Sequence, residues 1–198
     1  MRFVSESGQL RRAVIAVALA NLLYFGVELA VARRIGSVSL LADSVDFLED
    51  TSVNLLIAVG LGWSAKARAR LGMLLACVLL IPALAFVWTA YQKLHRPLPP
   101  DPWLLSITGM GALGVNLGCA LLLARFRHHS GSLTRAAFLS ARNDAIANLA
   151  IIAAGGFTLW LRSLWPDLIV GLGIAVMNAD AAREVWKAAR GEHSNAEA

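Results

Sequence analysis

The chain has 198 residues, of which 58% are hydrophobic and only 16% charged, and its mean hydropathy is +0.62. An ordinary soluble domain carries charge on about a quarter of its residues, so this composition excludes one and points to a chain that lives in a bilayer. The net charge of +5 and isoelectric point near 9.9 are no sign of nucleic acid, because the basic residues are distributed as the loops of a membrane protein distribute them.

A spanning helix needs about 20 mostly apolar residues. Six segments meet that criterion: Ala13 to Ala32, Val38 to Trp63, Leu71 to Tyr91, Trp103 to Ala124, Ala136 to Leu161 and Leu168 to Val185. The predicted fold is therefore all-α, a polytopic membrane protein built as a six-helix bundle. Residues 1–11 are expected as a short N-terminal segment, 12–187 as the transmembrane domain, and 188–198, with the polar run "GEHSNAEA", as a disordered tail. The first apolar run ends without a small-residue cleavage site, so it reads as a retained helix and not a signal peptide.

Orientation follows from counting Lys and Arg on alternate sides. The N-terminus (Arg2, Arg11, Arg12), the second loop (Lys66, Arg68, Arg70), the fourth (Arg125, Arg127, Arg135) and the C-terminal end (Arg183, Lys187, Arg190) carry twelve. Arg33, Arg34, Lys93, Arg96 and Arg162 make five on the other side. The excess predicts both termini in the cytoplasm, which an even number of spans permits.

The second run contains the first unusual feature, "LLADSVDFLED", which places Asp43, Asp46, Glu49 and Asp50 inside an apolar helix. On an ideal helix Asp43, Asp46, Asp50 and Asn54 share an arc of about 80°, with Glu49 just off it. An ionised residue at the bilayer centre costs roughly 2.5 to 3.5 kcal/mol on the insertion scale, so the stripe is expected to face the bundle interior, a cation or other acids. The plainer alternative is that some acids are protonated and hydrogen-bonded between helices, or pair with Arg142.

Between spans three and four, "HRPLPPDP" predicts a stiff outer loop, and Cys77 and Cys119 read as small packed residues. Gly109, Gly111, Gly114 and Gly118 suit span four to close helix contact. Span five holds a second polar cluster, "SARNDAIAN", in which Ser140, Asn143, Asp144 and Asn148 lie on one side and Arg142 on the other. Asp50 lies about 18 Å down from the outer end of its helix and Asp144 about 12 Å up from the inner end of its own. In a core of ~30 Å the two come to the same depth.

The motifs "GSVSLLADSVDFLED", "GALGVNLGCALLL", "SARNDAIANLAIIAAGG" and "LWPDLIVGLGIAV", in that order, resemble the transmembrane domain of the cation diffusion facilitators, over about Ala13 to Trp186. The resemblance implies a secondary transporter that exports a divalent cation such as zinc, manganese, iron or magnesium in exchange for protons. It also implies a metal site formed by Asp46 and Asp50 with Ser140 and Asp144. Ser140 stands where the family usually has His or Asp, which leaves Asn143 as a substitute oxygen donor and Asp43 as a further candidate. An all-oxygen set leans toward manganese, magnesium or ferrous iron.

The same comparison assigns Asn21 and Glu28 to helix packing or to support of the site, and Asn116, Asn178 and Asp180 to interhelical hydrogen bonds. His128 and His129 read as residues of a solvated loop. The family's cytoplasmic domain is not expected here, so a homodimer is expected to form through membrane helices. The expected partners are a divalent cation, protons and the lipid bilayer, with no nucleic acid, no resident cofactor and no enzyme activity. The expected location is a bacterial inner membrane. Three carboxylates in a low-dielectric site cannot all be ionised without a counter-charge, so a cation entering from the cytoplasm would displace protons and returning protons would release it. A non-transporting membrane sensor on the same scaffold is the alternative. An intramembrane aspartyl protease using Asp50 and Asp144 lacks the Gly-x-Gly-Asp pattern expected around one aspartate.

Overall fold

The computed structural model describes residues 2–60, 84, 86–95, 97–125 and 131–177, and within them the side chains of 8–58, 84, 86–95, 97–125 and 143–177. These residues form helices α1 (Arg2–Ile35), α2 (Val38–Gly60), α3 (86–95), α4 (Pro102–Ala124), α5 (Gly131–Leu161) and α6 (Trp165–Met177), and among them there is no strand. The predicted boundaries at Val38, Ala124 and Leu161 coincide with helix ends. α1 starts at Arg2, so residues expected as a separate leading segment form its first turns. Cys77, His128, His129, Asn178, Asp180, the basic residues of the second loop and the tail lie outside the described residues.

Six spans were expected. Among the described residues three helices are long and apolar enough to cross a bilayer, Gly8–Ile35, Pro102–Ala124 and Asn143–Leu161, with Trp165–Met177 a shorter apolar helix. α2 is not among the three although it has 23 residues. Its acidic stripe interrupts the apolar run, so it can stand in a bilayer only where other helices cover it.

The packing supplies that cover. α1 lies along α2 and α4 lies along α5, while α1 also touches α4 and α2 touches α5. The four helices thus close a ring α1–α2–α5–α4 around an interior onto which the polar stripes turn. The outer surface is apolar: Leu19, Leu23 and Val27 of α1, Leu117 and Leu121 of α4, and Ile146, Leu149 and Phe157 of α5 are exposed. In lipid that is the stable arrangement, since only groups paired inside the protein escape the desolvation cost of hydrocarbon. Two apolar clusters occupy different levels of the bundle. One gathers Ala32, Val38, Leu40, Leu41, Leu105, Ile151 and Leu168; the other gathers Val14, Val17, Ala58, Cys119, Ala120 and Leu123. The acidic part of α2 falls between them.

The turn from α1 to α2 is set by local chemistry. Gly36 takes φ 64°, a left-handed conformation that only glycine adopts without steric cost, and Ser37 N donates back to Ala32 O at 3.0 Å, closing a Schellman motif. Ser37 then caps α2, its Oγ accepting from Leu40 N at 3.1 Å. Asp101 does the same for α4, accepting from Trp103 N and Leu104 N at 2.9 Å each, with Pro102 in the first turn.

Two of the span-four glycines are contact points. A Cβ at Gly109 would meet Ile151 and Ile152 of α5, and one at Gly111 would meet the Tyr24 hydroxyl of α1; Gly114 and Gly118 face open space.

Candidate cation site

Three hydroxyl groups along the acidic part of α2 are satisfied by the helix's own backbone. Ser44, Thr51 and Ser52 donate to backbone oxygens of Leu41, Phe47 and Leu48 at 2.7 to 2.8 Å, the usual way for a hydroxyl to satisfy itself inside a helix. The acids have no such recourse, because a carboxylate only accepts. Asp43 and Asp50 are buried, and Asp46 and Glu49 are half-buried.

Asp50 and Asp144 approach across the α2–α5 contact to within hydrogen-bonding reach of each other's carboxyl groups. Asp46 stands close enough to interact electrostatically with Asp144, Asp43, Glu49 and Asp50. The two helices therefore bring Asp46 and Asp50 of one stripe to Asp144 of the other. Asn143 is exposed at the edge of this grouping. Ser140 lies in α5, but its side chain and that of Arg142 are outside the described residues. Among the described residues no three His, Cys, Asp or Glu side chains converge as a ready-made metal cage; the carboxylates form an open grouping.

Asparagines orient it. Asn21 Nδ2 on α1 donates to Asp50 Oδ2 at 3.4 Å, and Cys119 Sγ on α4 donates to Asn21 Oδ1 at 3.7 Å. That relay holds Asp50 from two neighbouring helices. Cys119, read from the sequence as a packed small residue, is thus also a hydrogen-bond donor. Asn54 Nδ2 donates to Asp50 O at 2.8 Å, and Asn148 Nδ2 donates to Asp144 O at 2.7 Å. Each of these two amides therefore points its Oδ1 away from its own backbone, and both oxygens are buried with no partner among the described residues. A buried acceptor left open in this way is a position at which a cation or a water can be received. Both asparagines follow their aspartate by four residues, one turn, which is the signal the sequence offered for them as a matched pair.

A family model described as the cation efflux transmembrane domain matches residues 14–191. The chain belongs to that family. Members of the cation efflux family are metal-cation transporters that work in membranes and not, in general, enzymes. The apolar helices and the family together make this an integral membrane protein. The cation efflux match spans α2 and α5 alike, so both carboxylate stripes belong to one domain.

One cluster at the start of α2 was not singled out from the sequence. Asp167 of α6, fully buried, accepts from Ser37 Oγ at 2.6 Å, Val38 N at 2.9 Å, Ser39 N at 3.1 Å, Ser39 Oγ at 2.7 Å and Lys93 Nζ at 3.1 Å. Lys93, expected as a loop charge, is instead buried in α3, where it also donates to Gly36 O. The reason is that Asp167 offers it a counter-charge next to the positive end of α2.

Proposed function

We propose that this chain is a secondary transporter that exports a hard divalent cation from the cytoplasm in exchange for protons. The observation that carries the reading is the approach of Asp50 and Asp144 across the α2–α5 contact, with Asp46 beside them. Three carboxylates in a bundle interior repel one another when ionised and attract a divalent cation strongly. The same groups take up protons when the cation leaves, which couples the two fluxes without further machinery. Asp46, Asp50 and Asp144 are the principal ligands in this reading. Ser140 and Asn143 are supporting oxygen donors, the open Oδ1 atoms of Asn54 and Asn148 are further acceptors, and Asp43 stands about two turns from Asp50 along α2, as an acid on the way to these ligands and not one of them.

An oxygen-only set favours manganese, magnesium or ferrous iron over zinc, since no imidazole or thiolate is offered. Six spans with both termini in the cytoplasm, in a bacterial inner membrane, complete the proposal, supported by the basic-residue count.

The test is transport in proteoliposomes across a panel of Zn2+, Mn2+, Fe2+ and Mg2+, with internal pH recorded. Cation movement with opposite proton movement is expected. Asp46→Asn, Asp50→Asn and Asp144→Asn should each abolish it while the protein still folds, because the amide keeps size but loses charge. Flux retained in the Asp50 or Asp144 variant would move the site elsewhere. No flux for any cation would favour a sensor on the same scaffold.

A further inference from the structure

The Asn21–Asp50 hydrogen bond fixes how α1 lies against α2. The helices are joined by a tight turn at Gly36 and run antiparallel, so moving seven residues forward on α1 and seven back on α2 arrives at the next facing pair. That pair is Glu28 and Asp43. The structure places these two carboxyl groups next to each other. Seven residues are about two turns, or roughly 10 Å along the axis, so the pair lies at a different level from Asp50, with Asp46 between the two levels.

Glu28 and Asp43 are both 0% exposed, and among the described residues no donor group outside the pair hydrogen-bonds any of their four oxygens. Among the described residues the Tyr24 hydroxyl, which lies near both acids, donates instead to Thr108 O at 2.6 Å, while Asn21 donates to Asp50 and Lys93 to Asp167. Buried acceptors are paired in almost every native structure, and a buried carboxylate without a partner is among the most costly groups a fold can contain. The pair therefore calls for an occupant that brings positive charge.

We infer that Glu28 and Asp43 form a second binding site for a hard divalent cation of the Mg2+ or Mn2+ type. Two carboxylates balance a divalent charge, so the loaded site is neutral in the low-dielectric interior. The donors are all oxygen, which suits hard cations, and such ions are commonly held by one or two carboxylates with water completing the shell. The thiol of Cys119 on α4, a soft donor, is committed to Asn21 at the other level. The site's role as a staging position on the cation's path rests on the transport reading above; its existence does not.

The experiment is a Mn2+ titration of the purified full-length chain, reading free Mn2+ by electron paramagnetic resonance, in which bound Mn2+ loses its sharp signal. Two equivalents per chain are expected. Glu28→Gln should lower the count to one, as should Asp50→Asn, which removes the other ion, and Mg2+ should compete for the site left in Asp50→Asn. A single equivalent in the unmodified chain overturns the inference, as the outcome in which the two carboxyls share a proton instead. A count of two that Glu28→Gln leaves unchanged also overturns it. If Glu28→Gln does not fold, Asp43→Asn replaces it, with the same two outcomes for and against. Loss of one ion in Glu28→Gln with no loss in Asp50→Asn supports this site and sinks the assignment of the transport site.

Discussion

Lys93 Nζ lies 3.1 Å from Asp167 Oδ2, and both side chains are buried. Through Asp167 the pair joins α3 and α6 to the first turn of α2, the helix that carries the acidic stripe. A carboxylate at a helix N-terminus answers backbone N–H groups that have no partner within the helix. The depth and tilt of the stripe are therefore held from outside the four-helix ring.

The two partners of this pair are not equivalent, and that gives a first prediction. Asp167→Ala leaves a buried ammonium without its counter-charge and removes the acceptor of Val38 N and Ser39 N in the first turn of α2, and should destabilise the protein by about 3–5 kcal/mol, the range for breaking a buried pair. Lys93→Met leaves Asp167 with its four contacts to residues 37–39 and should cost clearly less. Thermal unfolding in detergent would check the order, and equal losses would contradict it.

Asn21→Leu should act on the cation and not chiefly on the fold. It removes the donor to Asp50 Oδ2 and the acceptor for Cys119 Sγ, a loss on the order of 1 kcal/mol in stability. Asp50 then loses one of the contacts that orient its carboxylate, so the apparent KM for the transported cation should change several-fold with expression and folding retained. Unaltered cation kinetics in a folded Asn21→Leu protein would mean that the relay does not position Asp50.

Gly171 and Gly173 make a matched pair on α6. A Cβ at Gly171 would sit 2.8 Å from Ser39 N and from the carbonyl carbon of Val38, whereas one at Gly173 meets nothing within 4 Å. Backbone atoms cannot rotate aside, so Gly171→Ala should destabilise by about 1–3 kcal/mol. Gly173→Ala should be neutral or raise stability by up to about 1 kcal/mol through helix propensity. Unfolding temperatures of the two variants would decide it.

Ser140→His tests the ligand set. If Ser140 shares the space of Asp46, Asp50 and Asp144, an imidazole there supplies a nitrogen ligand that suits zinc and adds little for manganese or magnesium. Competition in proteoliposomes should then shift toward Zn2+. Unchanged selectivity in a well-folded variant would remove Ser140 from the ligands and leave Asn143 or water to complete the site.

Orientation can be read with single cysteines in a background lacking Cys77 and Cys119. Labels at Gln92 and Leu98, both exposed, should react with an impermeant reagent in intact cells. A label at Ala196 should be protected. The reverse pattern would overturn the cytoplasmic placement of the termini.

Much of the site was legible because it rests on local periodicity. Run length against bilayer thickness fixes which segments are helices, and a spacing of three and four residues puts Asp43, Asp46, Asp50 and Asn54 on one face before any neighbour is known. Gly36 and Asp101 could likewise be read as turn and cap residues from their own chemistry. The sequence by itself therefore determined a helical membrane protein with acids on α2 and α5, and the motifs around those acids determined the family.

What only the tertiary structure decided are the pairings between helices. Lys93 and Asp167 are 74 residues apart, and in the sequence the lysine reads as one more loop charge, because its counter-charge arrives only when α6 packs against the α1–α2 turn. Glu28 reads as a packing residue for the same reason. Its face is known from spacing, but the register that brings it to Asp43 is set by the turn at Gly36 and by the Asn21–Asp50 contact. Local spacing fixes the direction in which a side chain points; which group it meets depends on the relative slide of two helices, and that slide is set where they join and touch.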